Sequence, residues 1–298
     1  MASAGVIDPP LRARIRAALP DADVDTVLHD NGKALVLSGT VAGQRAVVKV
    51  LVEPDPFWAG KFAAEIATYQ AFEVAPPPVP VPKLLGADSK AGVLATTWLP
   101  GVPVHPDRYP PDLDPTSVEL LIEVASRLAT WQVPAGLFSP VFDYPARYTR
   151  YHGLGLLDQD DVAALTVLTE AAGSLRMAHG DLLPTNVLHQ PPAPKTRPAV
   201  TGLLDFEFTG LFLPCFDLAL LWVLLGNIPE ARSRVTEAVG TDRAAVAGFW
   251  VNVAMVTTRE LRTHGELEPG HPLGARLAML TAAWEQARAW LHETAGAL

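Results

Sequence analysis

Between residues 25 and 51 apolar and polar positions alternate with a period of two, in "DTVLHD", "ALVLSG" and "QRAVVKVL". That period puts successive side chains on opposite faces of a strand. Breaks at Asn31-Gly32 and at Gly39 to Gly43 read as tight turns, so the stretch predicts three strands of an antiparallel meander. A short basic helix is expected ahead of it, near Arg12 to Leu19. The segment "DPFWAGKFAAEIATYQAFEV" then changes to helical spacing, takes Pro56 in its first turn and stops at the proline cluster from Pro76 to Pro82. "PKLLGA" and "GVLATTWL" return to strand character.

The run "PGVPVHPDRYPPDLDP" interrupts all periodicity and reads as a linker. Beyond it the period becomes mainly helical, in "PTSVELLIEVASRLATWQ", "LDQDDVAALTVLTEAAGSLR", "CFDLALLWVLLG", "TDRAAVAGFWVNVAMVTTREL" and "PLGARLAMLTAAWEQARAWLHE". Two strand-and-loop segments interrupt the helices, "AHGDLLPTNVLH" and "AVTGLLDFEF". The proline-rich "QPPAPKTRP" joins them and is expected to be an exposed turn. A strand-rich front third before a helix-rich remainder predicts two lobes, residues 1–98 and 99–298, with a ligand cleft at their junction.

A chain of 298 residues, 49% of them hydrophobic, can bury a large core. Cys215 is its one cysteine, so no intrachain disulfide forms. The N-terminus lacks the order of a signal peptide, and the longest apolar run, "LALLWVLLG", is too short for a bilayer. A cytoplasmic protein without a membrane role is expected, a monomer or homodimer. The formal net charge of −9 disfavours nucleic acid as a partner and is compatible with a cationic ligand.

The chemistry concentrates where the helical period fails. Asp181 and Asn186 lie five apart in a proline-broken loop, and Asp205 closes the apolar strand "VTGLL". Oxygen donors at loop and strand ends suit a hard cation such as magnesium. Phosphoryl transfer needs such a set: a carboxylate to take the proton of an attacking hydroxyl, an amide oxygen, and a carboxylate on the metal. Asp-x-x-Pro-x-Asn alone is also an Asx-turn pattern.

"HGDLLPTN" followed by "LLDFE" resembles the catalytic loop and metal segment of the aminoglycoside phosphotransferase family, itself similar to choline kinases and more distantly to protein kinases. The resemblance implies an α+β, bilobal, protein-kinase-like fold, with a small antiparallel sheet and one packing helix in the first lobe and a larger helical second lobe. On it, Asp181 is the catalytic base, Asn186 and Asp205 hold Mg2+, and His179 braces the loop. Asp217, twelve residues after Asp205, matches the family's helix-borne aspartate that holds the catalytic loop by hydrogen bonds. Glu207 is either a second metal ligand or, more simply, a solvated strand end.

Lys49 stands among apolar neighbours in "RAVVKVL", where a lysine is costly unless paired. With Glu65, sixteen residues on, it resembles the strand lysine and helix glutamate of the kinase-like fold, whose ion pair turns the lysine toward the nucleotide phosphates. A local Lys61–Glu65 pair is the competing assignment. No G-x-G-x-x-G precedes them. Asn31-Gly32 is left either to cap phosphates through its amides or to make a hairpin turn. By analogy with the family, backbone groups of Thr97 and Leu99 meet a purine, with Thr96 behind; ATP is the expected nucleotide and GTP remains open.

Two further features bear on the acceptor. Gly180 stands where a regulated protein kinase carries arginine, and the eleven residues between Asp205 and Asp217 leave no room for an activation segment. A small molecule with a hydroxyl is therefore expected, and Asp158, Asp160, Asp161, Glu170, Glu260, Glu266 and Glu268 are available to a cationic one. The Ala-, Pro- and Arg-rich composition points to a high-GC bacterium, where antibiotic self-protection is common, and so to an antibiotic kinase. A kinase of choline, a sugar or an amino-acid-like alcohol is the alternative. A nucleotide-binding scaffold without activity is a third. Phosphate-loop, H-E-x-x-H and G-x-S-x-G motifs are absent from the sequence.

Overall fold

Asp8 starts the first helix: its carboxylate accepts the Leu11 N–H at 2.8 Å, and Pro9 and Pro10 fill first-turn positions that need no donor. The computed structural model describes residues 7–53, 55–190, 199–268 and 270–297. It divides into two compact units. The first comprises Met1–Val102, Leu188–Pro191 and Thr201–Phe208; the second comprises Pro103–Val187, Pro192–Val200 and Thr209–Leu298.

In the first unit α1 (Pro9–Ala18) precedes β1 (Ala22–Asp30), β2 (Ala34–Val41) and β3 (Gln44–Leu51), then α2 (Pro56–Val74), β4 (Leu84–Asp88) and β5 (Val93–Thr97). The strands form one antiparallel sheet in the order β1-β2-β3-β5-β4. Val24, Leu37, Val48, Val50, Val93 and Ala95 pack with Ile15 of α1 in one apolar cluster. Because β3 alternates, burying Val48 and Val50 on that side turns Lys49 to the opposite face.

The turn residues differ in part from expectation. Gly32 (φ 76°) does make the β1–β2 turn, but the β2–β3 turn is Ala42-Gly43, at φ 49° and 78°. Gly39 is not a turn residue. It lies inside β2 where β1 bulges, and an added Cβ would sit 2.9 Å from Val24 Cα and collide with the Asp23 carbonyl.

After β6 (Val102–Pro103) come α3 (Pro115–Ala129), α4 (Tyr144–Gly153), α5 (Gln159–Ala172), β7 (Arg176–Ala178), β8 (Val187–His189), β9 (Val200–Leu203), β10 (Gly210–Phe212), α6 (Phe216–Leu224), α7 (Pro229–Val239), α8 (Arg243–Gly265) and α9 (Ala275–Gly296). Every residue of α6 is buried, which is why its sequence is apolar all round. In the second unit α8 packs against α5, α6 and α9, and β7 pairs antiparallel with β10.

Two of these helices have no counterpart in the hydrophobic pattern. In α4 the buried stripe is Tyr144, Tyr148 and Tyr151, and in α7 it is the thin set Ala231, Val235 and Val239. The expected turn at 191–198 lies outside the described residues. Among the described residues no helix is long and apolar enough to cross a membrane.

Candidate active site

The first unit gathers a charged cluster around Lys49. Its ammonium donates to Glu65 Oε2 at 2.7 Å and to Asp205 Oδ1 at 2.8 Å, and Glu207 Oε2 lies 3.7 Å away. Glu65 reaches it from the buried face of α2, with Phe62, Ile66, Tyr69 and Phe72, so the ion pair is with Lys49. Lys61 instead lies over the Phe208 ring at 4.1 Å.

Asp205 and Glu207 arrive on the segment after β9. Phe206, between them, is buried edge-on against Tyr69 at 5.4 Å and Phe72 at 4.8 Å, so its two acidic neighbours are held at the lysine. Asp205 itself is left-handed, at φ 67°, at a cost of about 1 kcal/mol that the anchored segment sustains. Glu207 is thus part of the cluster and not a solvated strand end.

Burial works against the Lys49 charge, but Glu65, Asp205 and Glu207 more than offset it and hold the amine well above the usual lysine range. Burial also pushes the Glu65 carboxyl up, with Asp205 adding repulsion against the pull of Lys49. Ligand oxygens of Glu65, Asp205 and Glu207 all lie within 4.8 Å of one another. Three carboxylates around one ammonium leave a formal surplus of two negative charges. An oxygen donor set with that surplus fits a divalent hard cation such as magnesium.

Residues expected near the nucleotide lie on β5, an inner strand between β3 and β4, and just after it. The Thr97 N–H donates to the Lys83 carbonyl and its hydroxyl accepts the Lys83 N–H, both at 2.9 Å. Thr96 is buried, and Leu99 lies over Gly202, where an added Cβ would be 2.5 Å from Leu99 Cδ1. At the β1–β2 turn, Asp30 Oδ1 accepts the Gly32 N–H at 2.8 Å, while Asn31 Oδ1 accepts the Lys33 and Ala34 N–H groups. These side chains use up turn donors, as an Asx turn does.

The second unit holds the loop from His179 to Asn186. Asp217, in the first turn of α6, accepts the N–H of His179 at 2.7 Å on Oδ2 and that of Gly180 at 3.0 Å on Oδ1. One buried carboxylate thereby satisfies two successive backbone donors, an arrangement helped by Gly180 at φ 82°. Burial raises the Asp217 carboxyl above its ordinary range, against the opposing pull of His179 and of both amides.

The Asp181 N–H donates to His179 Nδ1 at 3.3 Å, and the His179 carbonyl accepts from Thr209 Oγ1 at 3.2 Å. Asn186 Nδ2 donates to the Asp181 carbonyl at 3.0 Å, which closes the loop and leaves the amide oxygen beside Thr185 Oγ1. Asn186 belongs to the second unit and Asp205 to the first.

Arg108 was not indicated by the sequence pattern. Its guanidinium donates to both oxygens of Asp181, at 3.3 and 3.5 Å. It lies in the proline-rich run read as a linker, 73 residues before Asp181, with no periodicity to mark it. Next to it, Tyr109 OH donates to Glu260 Oε2 at 3.0 Å, and Arg259 pairs with Glu260 Oε1 at 3.0 Å. Burial opposes the Arg108 charge, and Asp181 leads the groups that raise its pKa regardless. Burial likewise opposes the Glu260 charge, and Arg259, Arg108 and Tyr109 hold that carboxyl below the usual range.

The acidic residues considered for a cationic acceptor are in part already engaged. Asp158 and Asp161 bind Arg288, Asp161 also meets His292 at 2.9 Å, and Glu260 is enclosed as described. Asp160, Glu170, Glu266 and Glu268 are exposed.

A family model described as the phosphotransferase enzyme family matches residues 29–249, most of the chain, including Lys49, Glu65, Asp181, Asn186, Asp205 and Asp217. The chain belongs to this family. As a member it is an enzyme of phosphoryl transfer.

No curated protein matches the chain in sequence. Among solved structures it resembles the apo form of a thermostable mutant of aminoglycoside phosphotransferase APH(4)-Ia, at 15% identity over 95% of this chain and 98% of that one, with a TM-score of 0.55. It also resembles the GDP complex of wild-type aminoglycoside 2'-phosphotransferase-IIIa, at 15% identity over 93% and 97% of the two chains, with a TM-score of 0.55. A choline/ethanolamine kinase family protein from Mesorhizobium loti is similar at 17% identity over 95% and 98%, with a TM-score of 0.58. These similarities establish the kinase-like α+β fold expected from the sequence.

Proposed function

We propose that this enzyme moves the γ-phosphoryl group of a nucleoside triphosphate, ATP before GTP, to a hydroxyl of an antibiotic and so inactivates it, acting in the cytoplasm. The observation that carries the phosphotransfer assignment is the Asp217 clamp on His179 and Gly180, which fixes the loop bearing Asp181. In the proposed reaction Asp181 takes the proton of the acceptor hydroxyl. The hydroxyl oxygen forms a bond to the γ-phosphorus, the bond to the β,γ-bridging oxygen breaks, and the nucleoside diphosphate leaves with that electron pair.

Lys49, oriented by Glu65, binds phosphate oxygens, and backbone groups of Thr97 and Leu99 receive the base. Asn186 and Asp205 are the proposed magnesium ligands, with Glu207 beside Asp205. When bound, magnesium supplies charge neutralisation to the phosphate oxygens. The antibiotic assignment draws on the solved ternary complex of an APH(4)-Ia mutant with AMP-PNP and hygromycin B. The Mesorhizobium loti protein supports a second reading, a metabolite kinase.

The test is incubation with Mg-ATP or Mg-GTP and a panel of aminoglycosides, peptide and nucleoside antibiotics, choline and simple sugars, read by mass spectrometry. Gain of one phosphoryl group by an antibiotic is expected and identifies acceptor and donor together. Gain by choline or a sugar alone favours the metabolite kinase.

A further inference from the structure

The second unit carries a chain of charged groups that begins at Asp181 and ends on Arg276, which makes no ion pair among the described residues. Arg108 holds Asp181, and Tyr109 follows it in sequence. The guanidinium carbon of Arg276, near the start of α9, lies 3.7 Å from the centre of the Tyr109 ring. Nε and Nη2 of Arg276 are buried and make no hydrogen bond among the described residues. His264, buried in α8 with its ring 5.9 Å from Tyr109, likewise leaves Nε2 without a partner.

Charge around these rings is unbalanced. Asp181 is matched by Arg108 and Glu260 by Arg259, so Arg276 is a surplus cation. Burial works against its charge and outweighs the support it draws from Tyr109 and Glu260, and Arg108 adds repulsion. Arg147, stacked on Phe142 at 3.4 Å, adds a fourth guanidinium close enough to repel Arg259. Buried guanidinium N–H groups without acceptors are costly, and a fork of such donors matches a carboxylate or phosphate. The Arg108 side chain remains 40% exposed and Arg276 is half-buried, so part of each side chain lies at the surface, while Nε and Nη2 of Arg276 must be uncovered for an anion to reach them.

We propose that the acceptor carries an anionic group, a carboxylate or a phosphate, close to the hydroxyl it offers to Asp181, and that Arg276 binds this group with Arg108. The proposal rests on the phosphotransfer reading above and names the acceptor class for the same site. Arg108 then has two positions of use: on Asp181 without acceptor, and shared between Asp181 and the acceptor anion when one is bound. An antibiotic or metabolite bearing an acid group fits this site, and a polycation does not.

The test uses the full chain with Mg-ATP and matched sets of small alcohols: hydroxycarboxylic acids, the corresponding methyl esters and amides, phosphorylated sugars, and amino alcohols. Phosphoryl gain is expected for the acids or the phosphorylated sugars and not for the esters, amides or amines. Arg276→Gln is expected to raise the acceptor KM at least ten-fold with kcat within about three-fold, and Arg276→Lys to restore part of the loss. Turnover of neutral or cationic alcohols with a KM indifferent to Arg276→Gln overturns the anion assignment and leaves phosphotransfer standing.

Thermal-shift titration with the same acids gives a readout that needs no turnover. Stabilisation of the wild type that Arg276→Gln removes supports the site. Equal shifts in both proteins, or none in either, overturn it. Failure of the phosphotransfer reading shows separately, as ADP release at the same rate in wild type and Asp181→Asn.

Discussion

Lys49 and Asp205, 156 residues apart in sequence, meet at 2.8 Å, and the same ammonium holds Glu65 at 2.7 Å. A strand, a helix and the loop after a third element converge on one charge that none of them could bury unpaired.

Removing that charge leaves a buried carboxylate without its partner. Lys49→Ala is expected to lower unfolding free energy by about 3 kcal/mol and to weaken productive nucleotide binding. Urea unfolding and the KM for ATP measure the two effects. Adding Glu65→Leu should recover most of the stability and none of the nucleotide binding; unchanged kinetic constants in the single variant would refute the assigned role of Lys49.

Asp181 and Asp217 are expected to fail in different ways. Asp181→Ala removes the proton acceptor and should cut kcat by about 10²–10⁴ while nucleotide affinity stays within a few-fold. Asp217→Ala strips the acceptor from two buried amides and should cost about 2–3 kcal/mol of stability, because the His179 and Gly180 donors are left unmet. Calorimetry together with single-turnover kinetics separates the two. Substantial turnover by Asp181→Ala would rule it out as the base.

Glu260 gives a pH signature. Burial opposes its charge, but Arg259, Arg108 and Tyr109 depress its folded pKa. A carboxyl lowered on folding contributes stability that is complete above its unfolded value, about 4.3, and is lost as pH falls through the folded value. The stability difference between wild type and Glu260→Gln should therefore be full at neutral pH and shrink below about pH 4.3. Denaturant titrations from pH 3 to 7 check this, and a difference that grows toward acid would contradict the sign.

Cys215 is expected to be inert in the native state. Burial, aided by the charge of Asp242, pushes its thiol up to about 11, so little thiolate exists at pH 8. Alkylation by iodoacetamide at that pH should run about a hundred-fold slower than in urea. Comparable rates would show that the N-terminal end of α6 opens readily.

The sequence by itself determined the parts whose logic is local. Period-two alternation placed Lys49 on a strand, Pro56 marked the first turn of α2, and His179, Asp181 and Asn186 share one loop because only seven peptide links separate the first from the last. Gly39 was misplaced because glycine serves a close approach of strands as readily as a turn. Helices α4 and α7 escaped because tyrosines and a few alanines and valines form their buried stripes. Only the tertiary structure decided that Glu207 joins Lys49, that Arg108 engages Asp181, and that Arg276 lies on Tyr109 with donors to spare. Such encounters link distant segments, and they are set by how whole faces of apolar side chains pack, a sum over the core that no local spacing records.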